Sequence, residues 1–354
     1  MAHKKITYRD AGVDISANDV MVDRIRSAVH RTYGPRVLPS HGGFAGMLRL
    51  DFDERLFARN YRHPVLVACT DGVGSKVLVA SMAGRLNTVG IDLVAMSVND
   101  LLTVGAEPLL FLDYVALHRL EPARVAEIVE GVALGCRRCG CALLGGETAE
   151  MPDLYARDHF DLAGFAVGVV ERQRIINGKR IEPGDVLLGI ASDGLHSNGY
   201  ALARKLIFEV ARHKLDDLPP ALNETVADAL LRPTRIYVRP VLAVLGGYRR
   251  KQVIGGMAHI TGGGLPGNTV RMLPPDCDIV LRKGSWPVPP IFSYLESIGV
   301  ESDEMFRVFN MGIGFVMAVR PVFARSIQAR LQKLGERVYV IGKIRRGSGR
   351  FQWA

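Results

Sequence analysis

Apolar runs alternate with amphipathic stretches along all 354 residues, the pattern of helices packed on sheets. Runs at 65–69, 109–116, 141–145 and 162–170 predict strands, whereas 91–104 and 122–138 predict helices, the second opening near Pro122. At 171–185, ERQRIINGKRIEPGD, the chain turns polar and ends in Pro-Gly, a turn signal that suits a domain border. The pattern restarts with a strand at 186–191, the loop SDGLHSNG and a helix from about 199. A strand-like run at 253–260 leads to HITGGG and a helix; strands near 306–319 and 337–343 bracket a helix around 322–334. This predicts an α/β (α+β) protein with domains 1–170 and 171–354.

Composition narrows the class. With 48% hydrophobic and 23% charged residues the chain reads as globular, and no stretch nears the roughly 18 uninterrupted apolar residues of a membrane span. The N-terminus has charges but no apolar signal core, so a cytoplasmic protein without a membrane partner is expected. Five cysteines argue against a secreted disulfide framework. Cys136, Cys139 and Cys141 crowd together, but a zinc site needs a further ligand pair and only Cys69 and Cys277 remain, so packing is the reading. A net charge of +9 suits an anionic partner. The densest basic pieces, Arg249-Arg250-Lys251 and Arg345-Arg346, are short, which favours a phosphorylated small molecule over nucleic acid.

Candidate chemistry lies where strands meet glycine-rich loops. In TDGVGSK (70–76), Gly72 and Gly74 let backbone N–H groups approach an anion, Lys76 supplies a point charge and Asp71 can hold a divalent cation. A plain turn would also use Asp71-Gly72. On a helix over 91–104, Val94, Val98, Leu101 and Leu102 share one face, and Asp92, Asn99 and Asp100 fall within about 100° of each other on another. LLGGETAEMPD (143–153) reads as a strand ending in two glycines, followed by Glu147, Thr148, Glu150 and Asp153; hard oxygen ligands of this kind suit Mg²⁺. SDGLHSNG and HITGGG look like anion cradles, with His196 and His259 beside them.

In order, YRDAGVDI (8–15), GGF (42–44), TDGVGSK, GIDLVAMSVNDL (90–101), GAEPLLFLDY (105–114), GGETAEMP (145–152), AGFAVGVVE (163–171), HSNGY (196–200), PTRIYV (233–238), AHITGGG (258–264) and FNMGIG (309–314) closely resemble the phosphoribosylformylglycinamidine cyclo-ligases, or AIR synthetases. The resemblance implies ATP-dependent ring closure of formylglycinamidine ribonucleotide through an iminophosphate. It also implies a homodimer whose N-terminal sheets pair, and Mg²⁺ held by Asp71, Asp100 and Glu147. On that basis Asp71, Gly72, Gly74, Ser75, Lys76, Gly145, Gly146, Glu147 and Thr148 are assigned to ATP. Asp92, Asn99, His196, Ser197, Asn198, Thr261, Gly262, Gly263 and Gly264 are assigned to substrate, and His259, Lys76 and Asp71 to catalysis. Arg9 and Arg26 stand where the family commonly carries lysine; arginine keeps the charge and cannot readily act as a base. Formylglycinamidine ribonucleotide synthetase is the closest rival and would show a histidine-containing motif in place of TDGVGSK. A non-catalytic nucleic-acid binder rests on the charge alone.

Overall fold

The computed structural model describes residues 15–38, 46–49, 61–248 and 251–354; YRDAGVDI except its last residue, GGF, Arg9, Arg249 and Arg250 lie outside them. Helix α1 (Ile15–His30) and a short ribbon, β1 (Val37–Leu38) with β2 (Met47–Leu48), come first. The first sheet holds β3 (Pro64–Gly72), β4 (Glu107–Leu117), β5 (Ala142–Glu150) and β6 (Phe160–Glu171) in the order β3-β6-β4-β5, parallel only between β4 and β5. Along β3, half-buried and exposed residues alternate because one face is covered by helices and the other is open. The covering layer includes α2 (Lys76–Ala83), α3 (Asn87–Thr103) and α4 (Pro122–Cys139).

Helices α3 and α4 cross closely because neither has a side chain at the crossing. A Cβ on Gly131 would lie 1.9 Å from the Asn87 carbonyl, and one on Gly90 would lie 2.3 Å from that of Ile128. Helix α4 starts on Pro122 and stops at Gly140, which takes the left-handed conformation. Cys136, Cys139 and Cys141 are buried at this end. Among the described residues no group of three His, Cys, Asp or Glu side chains could hold a metal ion, and all five cysteines are free.

The second sheet comprises β7 (Val186–Ala191), β8 (Ile254–His259), β9 (Cys277–Leu281), β10 (Ile313–Val319), β11 (Val338–Arg346) and β12 (Phe351–Trp353), ordered β12-β9-β11-β7-β10-β8. Strands β7, β8 and β10 are almost wholly buried, hence their near-continuous apolar runs. Its helices are α5 (Tyr200–Arg204), continued by a π-helical stretch over 205–210, α6 (Val226–Leu231), α7 (Val238–Gly247), α8 (Gly264–Thr269), α9 (Pro290–Gly299), α10 (Ser302–Val308) and α11 (Pro321–Lys333).

Three local expectations change. The run at 306–319 divides into the end of α10 and strand β10, because Met311 and Gly312 take positive φ and break it. Asp71-Gly72 lies within β3, so the expected seven-residue loop shrinks to residues 73–75. GGETAE is not a turn but the outer half of β5, an edge strand whose neighbour β4 pairs with it through Glu150. An edge strand with an open face tolerates such polar residues.

Candidate active site

The two domains meet along α3. Asp92, Met96 and Asn99 recur at helical spacing, which puts them on one stripe, and each side chain reaches the second domain. Asp92 Oδ1 accepts from the Thr234 N–H at 2.7 Å and from its hydroxyl at 2.6 Å. The Asn198 amide approaches the Met96 sulfur at 4.0 Å. Asn99 donates to the Arg235 carbonyl at 2.8 Å and accepts from the Tyr237 N–H at 3.0 Å. Asp92 and Asn99, assigned to substrate from sequence, are therefore fully buried struts of the domain seam.

Lys76 departs further from its assignment. Its side chain turns inward and is fully buried, with Nζ 2.8 Å from Asp92 Oδ2 and donating to the His196 and Arg232 carbonyls at 2.9 and 2.8 Å. All three ammonium protons have acceptors, so none is offered to a phosphate. Burial lowers its pKa, and the Asp92 charge opposes that shift. Gly74 is exposed with φ 70° and Ser75 half-buried, which leaves only this end of TDGVGSK beside the start of α2 for an anion.

Asp71, Asp100 and His259 do come together. His259 Nδ1 lies 2.9 Å from Asp100 Oδ1, and its Nε2 lies 3.4 Å from the Asn99 amide nitrogen. With Asn99 donating, His259 carries its proton on Nδ1, towards Asp100, and Nε2 is the acceptor atom. Burial pushes the Asp71 carboxyl up; the Gly72 N–H opposes this, the Asp100 charge adds to it and His259 counters it. Cys69, beneath both acids, is pushed up to about 12 by burial and then by Asp100 and Asp71. Asp100 and His259 line a cavity of about 330 Å³ between the domains, together with Asn177, Asn268 and Arg271.

Two further loops border this seam. Asn268 Nδ2 donates to the carbonyls of Thr261, Gly262 and Gly264 at 3.2, 3.1 and 2.9 Å. Because N–H and C=O point oppositely across a trans peptide, holding the Thr261 and Gly262 carbonyls inward turns the Gly262 and Gly263 N–H groups outward. Gly264 is instead a packing glycine: a Cβ there would lie 2.0 Å from the Phe306 carbonyl, and α8 has six residues. His196 is buried with φ 62°; burial, then His259, Lys76 and Arg235, hold its pKa well below the usual value, and its Nδ1 has no partner among the described residues. Ser197 bonds the Thr234 hydroxyl at 3.0 Å, so it also supports the seam.

Glu147 does not join Asp71 within one chain. Asp71 is in register with Gly164 of β6, which faces Asp113 of β4, which faces Gly146 of β5. Three strand spacings, about 14 Å, separate the two edges. Asp113 itself is a buried carboxyl against the Gly146 backbone, where a Cβ would lie 2.3 Å from its Oδ1. Burial raises its pKa to about 7, opposed only by a hydrogen bond with its own backbone. The unfolded value is about 3.9, so the folded state holds this proton more tightly. The stability it contributes is present below pH 4 and is lost as pH rises towards 7. Asp113→Asn should therefore raise Tm by about 5 °C or more at pH 8 and leave it unchanged at pH 4, checked by thermal melts at both values.

Sequence reasoning overlooked Thr234, Arg235 and Tyr237 as individual residues. Arg235 bridges Asp193 at 2.9 Å and Glu336 at 2.6 Å. PTRIYV was the visible signal, and its polar Thr-Arg pair among apolar residues could have pointed to the seam.

Comparison with known proteins fits this geometry. Residues 58–170 match the family described as AIR synthase related protein, N-terminal domain, and residues 182–354 match the corresponding C-terminal domain. Phosphoribosylformylglycinamidine cyclo-ligase of Myxococcus xanthus is 52% identical over 344 residues, covering 97% of each chain. That of Citrifermentans bemidjiense is 51% identical over 345 residues, covering 97% of this chain and 96% of its own. In fold, the chain is similar to the hydrogenase maturation protein HypE in complex with ATP (TM-score 0.67, 16% identity, 98% of this chain and 94% of that one). Thiamine-monophosphate kinase from Stenotrophomonas maltophilia K279a gives a TM-score of 0.64 at 18% identity, covering 94% and 95%. Half-identity across nearly the full length, with both domains matched in order, settles the kinship: the chain belongs to the phosphoribosylformylglycinamidine cyclo-ligase family.

Proposed function

We propose that this chain is an ATP-dependent cyclo-ligase that closes the imidazole ring of 5-aminoimidazole ribonucleotide from formylglycinamidine ribonucleotide, releasing ADP and phosphate in purine biosynthesis. The observation that carries it is the 51–52% identity to cyclo-ligases over 97% of the chain. The formyl oxygen attacks the γ-phosphorus of ATP and ADP departs. An amidine nitrogen then attacks the activated formyl carbon, and the oxygen leaves with phosphate. Asp71 and Asp100 fit one Mg²⁺, an ion that takes one or two carboxylates plus substrate phosphates and would neutralise phosphate charge. His259 Nε2 accepts the proton released as the ring closes, while Asp100 fixes the imidazole through Nδ1. The outward N–H groups at Gly262 and Gly263 and the Asn198 amide hold the substrate. ADP release that depends on formylglycinamidine ribonucleotide tests the reading; release unaffected by it overturns the reading.

The working unit is a homodimer in the cytoplasm, with the domain border at 170 and 171. Leu66, Phe165 and Leu112 are 59%, 46% and 38% exposed on the open face of the first sheet. That apolar face supports a sheet-to-sheet partner. Face-to-face pairing about a two-fold axis along the strands would set the β5 edge of one subunit beside the β3 edge of its partner and bring Gly145, Gly146, Glu147 and Thr148 to the ATP held at Asp71. Phe165→Asp paired with Leu66→Asp should give a folded monomer with turnover lowered at least about 10²-fold, read by sedimentation and assay. A fully active monomer would remove the composite site.

A further inference from the structure

Two adjoining cavities, of about 350 and 470 Å³, lie between α2, the start of α4 and the turn before β6. They share Arg124, Arg157, Asp158 and His159, and they share no residue with the cavity at Asp100 and His259. Three acids line them, and all are engaged. Asp158 pairs with Arg124 at 3.0 Å and Glu121 lies 3.6 Å from the same guanidinium. Glu127 accepts from the Leu86 and Asn87 N–H groups at 2.8 and 3.2 Å. Arg119, Arg157 and Arg204 also line the cavities, and none has a side-chain hydrogen bond or ion pair among the described residues. The Nε of Arg204 is moreover buried with no partner, the condition of a donor awaiting an acceptor.

We propose that these cavities form a second anion site, for a small molecule carrying linked phosphate groups. Guanidinium forks match phosphate oxygens in pairs. One phosphate cannot serve arginines distributed over both cavities, whereas linked phosphates can. Arg157 belongs to the first domain and Arg204 to α5 of the second, so the bound molecule ties the domains together away from the reactive cleft.

Calorimetric titration of the wild type and of an Arg157→Ala/Arg204→Ala variant with tripolyphosphate tests the site. The expected result is one fewer tripolyphosphate bound per chain in the variant, or binding there at least tenfold weaker, with ligand-free Tm and kcat unchanged. Arg119→Ala, and Arg157→Gln with Arg204 intact, should each weaken binding partially. Identical titrations for wild type and the double variant overturn the proposal. Inorganic phosphate binding as tightly as tripolyphosphate overturns the requirement for linked groups. A parallel titration with ATP separates the sources: a nucleotide site binds ATP more tightly than tripolyphosphate, and a polyphosphate site does the reverse.

Discussion

Replacing Lys76 with alanine is expected to destabilise the protein by about 3–5 kcal/mol, because it leaves Asp92 charged and buried without its partner. The loss extends beyond the ion pair. The His196 and Arg232 carbonyls also lose their donor, and both belong to segments that close the domain seam. Urea unfolding should show a lower midpoint for Lys76→Ala. Lys76→Met keeps the stem packed but strands the same charge, so it should fall nearly as far. A lysine working on phosphate predicts the opposite: native stability with turnover removed. That result would return Lys76 to the reacting centre.

His259→Ala should lower kcat by about 10²–10⁴-fold with little change in Tm, the loss expected when a positioned proton acceptor is removed. Asp100→Asn should do at least as much, since it removes the charge of the carboxylate proposed for Mg²⁺ and leaves His259 Nδ1 facing a neutral amide. Asp71→Asn should likewise abolish turnover while the fold remains. The double variant Asp100→Asn/His259→Ala should be scarcely worse than the more damaging single change, as for groups that act as a unit. Variants that lose Tm and keep turnover would make the pair structural and move attention to His196.

Much of this architecture was legible from the apolar pattern, for a physical reason. The strand at 186–191 is buried on both faces and reads as an unbroken apolar run, so its limits coincide with those of β7. Strands β3 and β5 run past their apolar stretches into TDG and GGETAE, because edge strands with an open face do not require apolar residues. Strand β9, only five residues long, and helices α7 and α9 were not anticipated. At the site, the helical period identified the polar stripe of α3 and could not say which of its members would be covered. Asp100 remains partly exposed beside His259, whereas Asp92 and Asn99 disappear into the seam. Lys76 shows the same limit: a glycine-rich stretch ending in lysine looks like a phosphate cradle until the opposite domain supplies two acceptors beside Asp92.

The central claim is that ATP activates the formyl oxygen for ring closure. It is tested most directly by following that oxygen. With ¹⁸O in the formyl group of formylglycinamidine ribonucleotide, the account predicts one labelled oxygen in the released phosphate for every imidazole formed. Phosphate without label, with the ¹⁸O appearing in water, would contradict it.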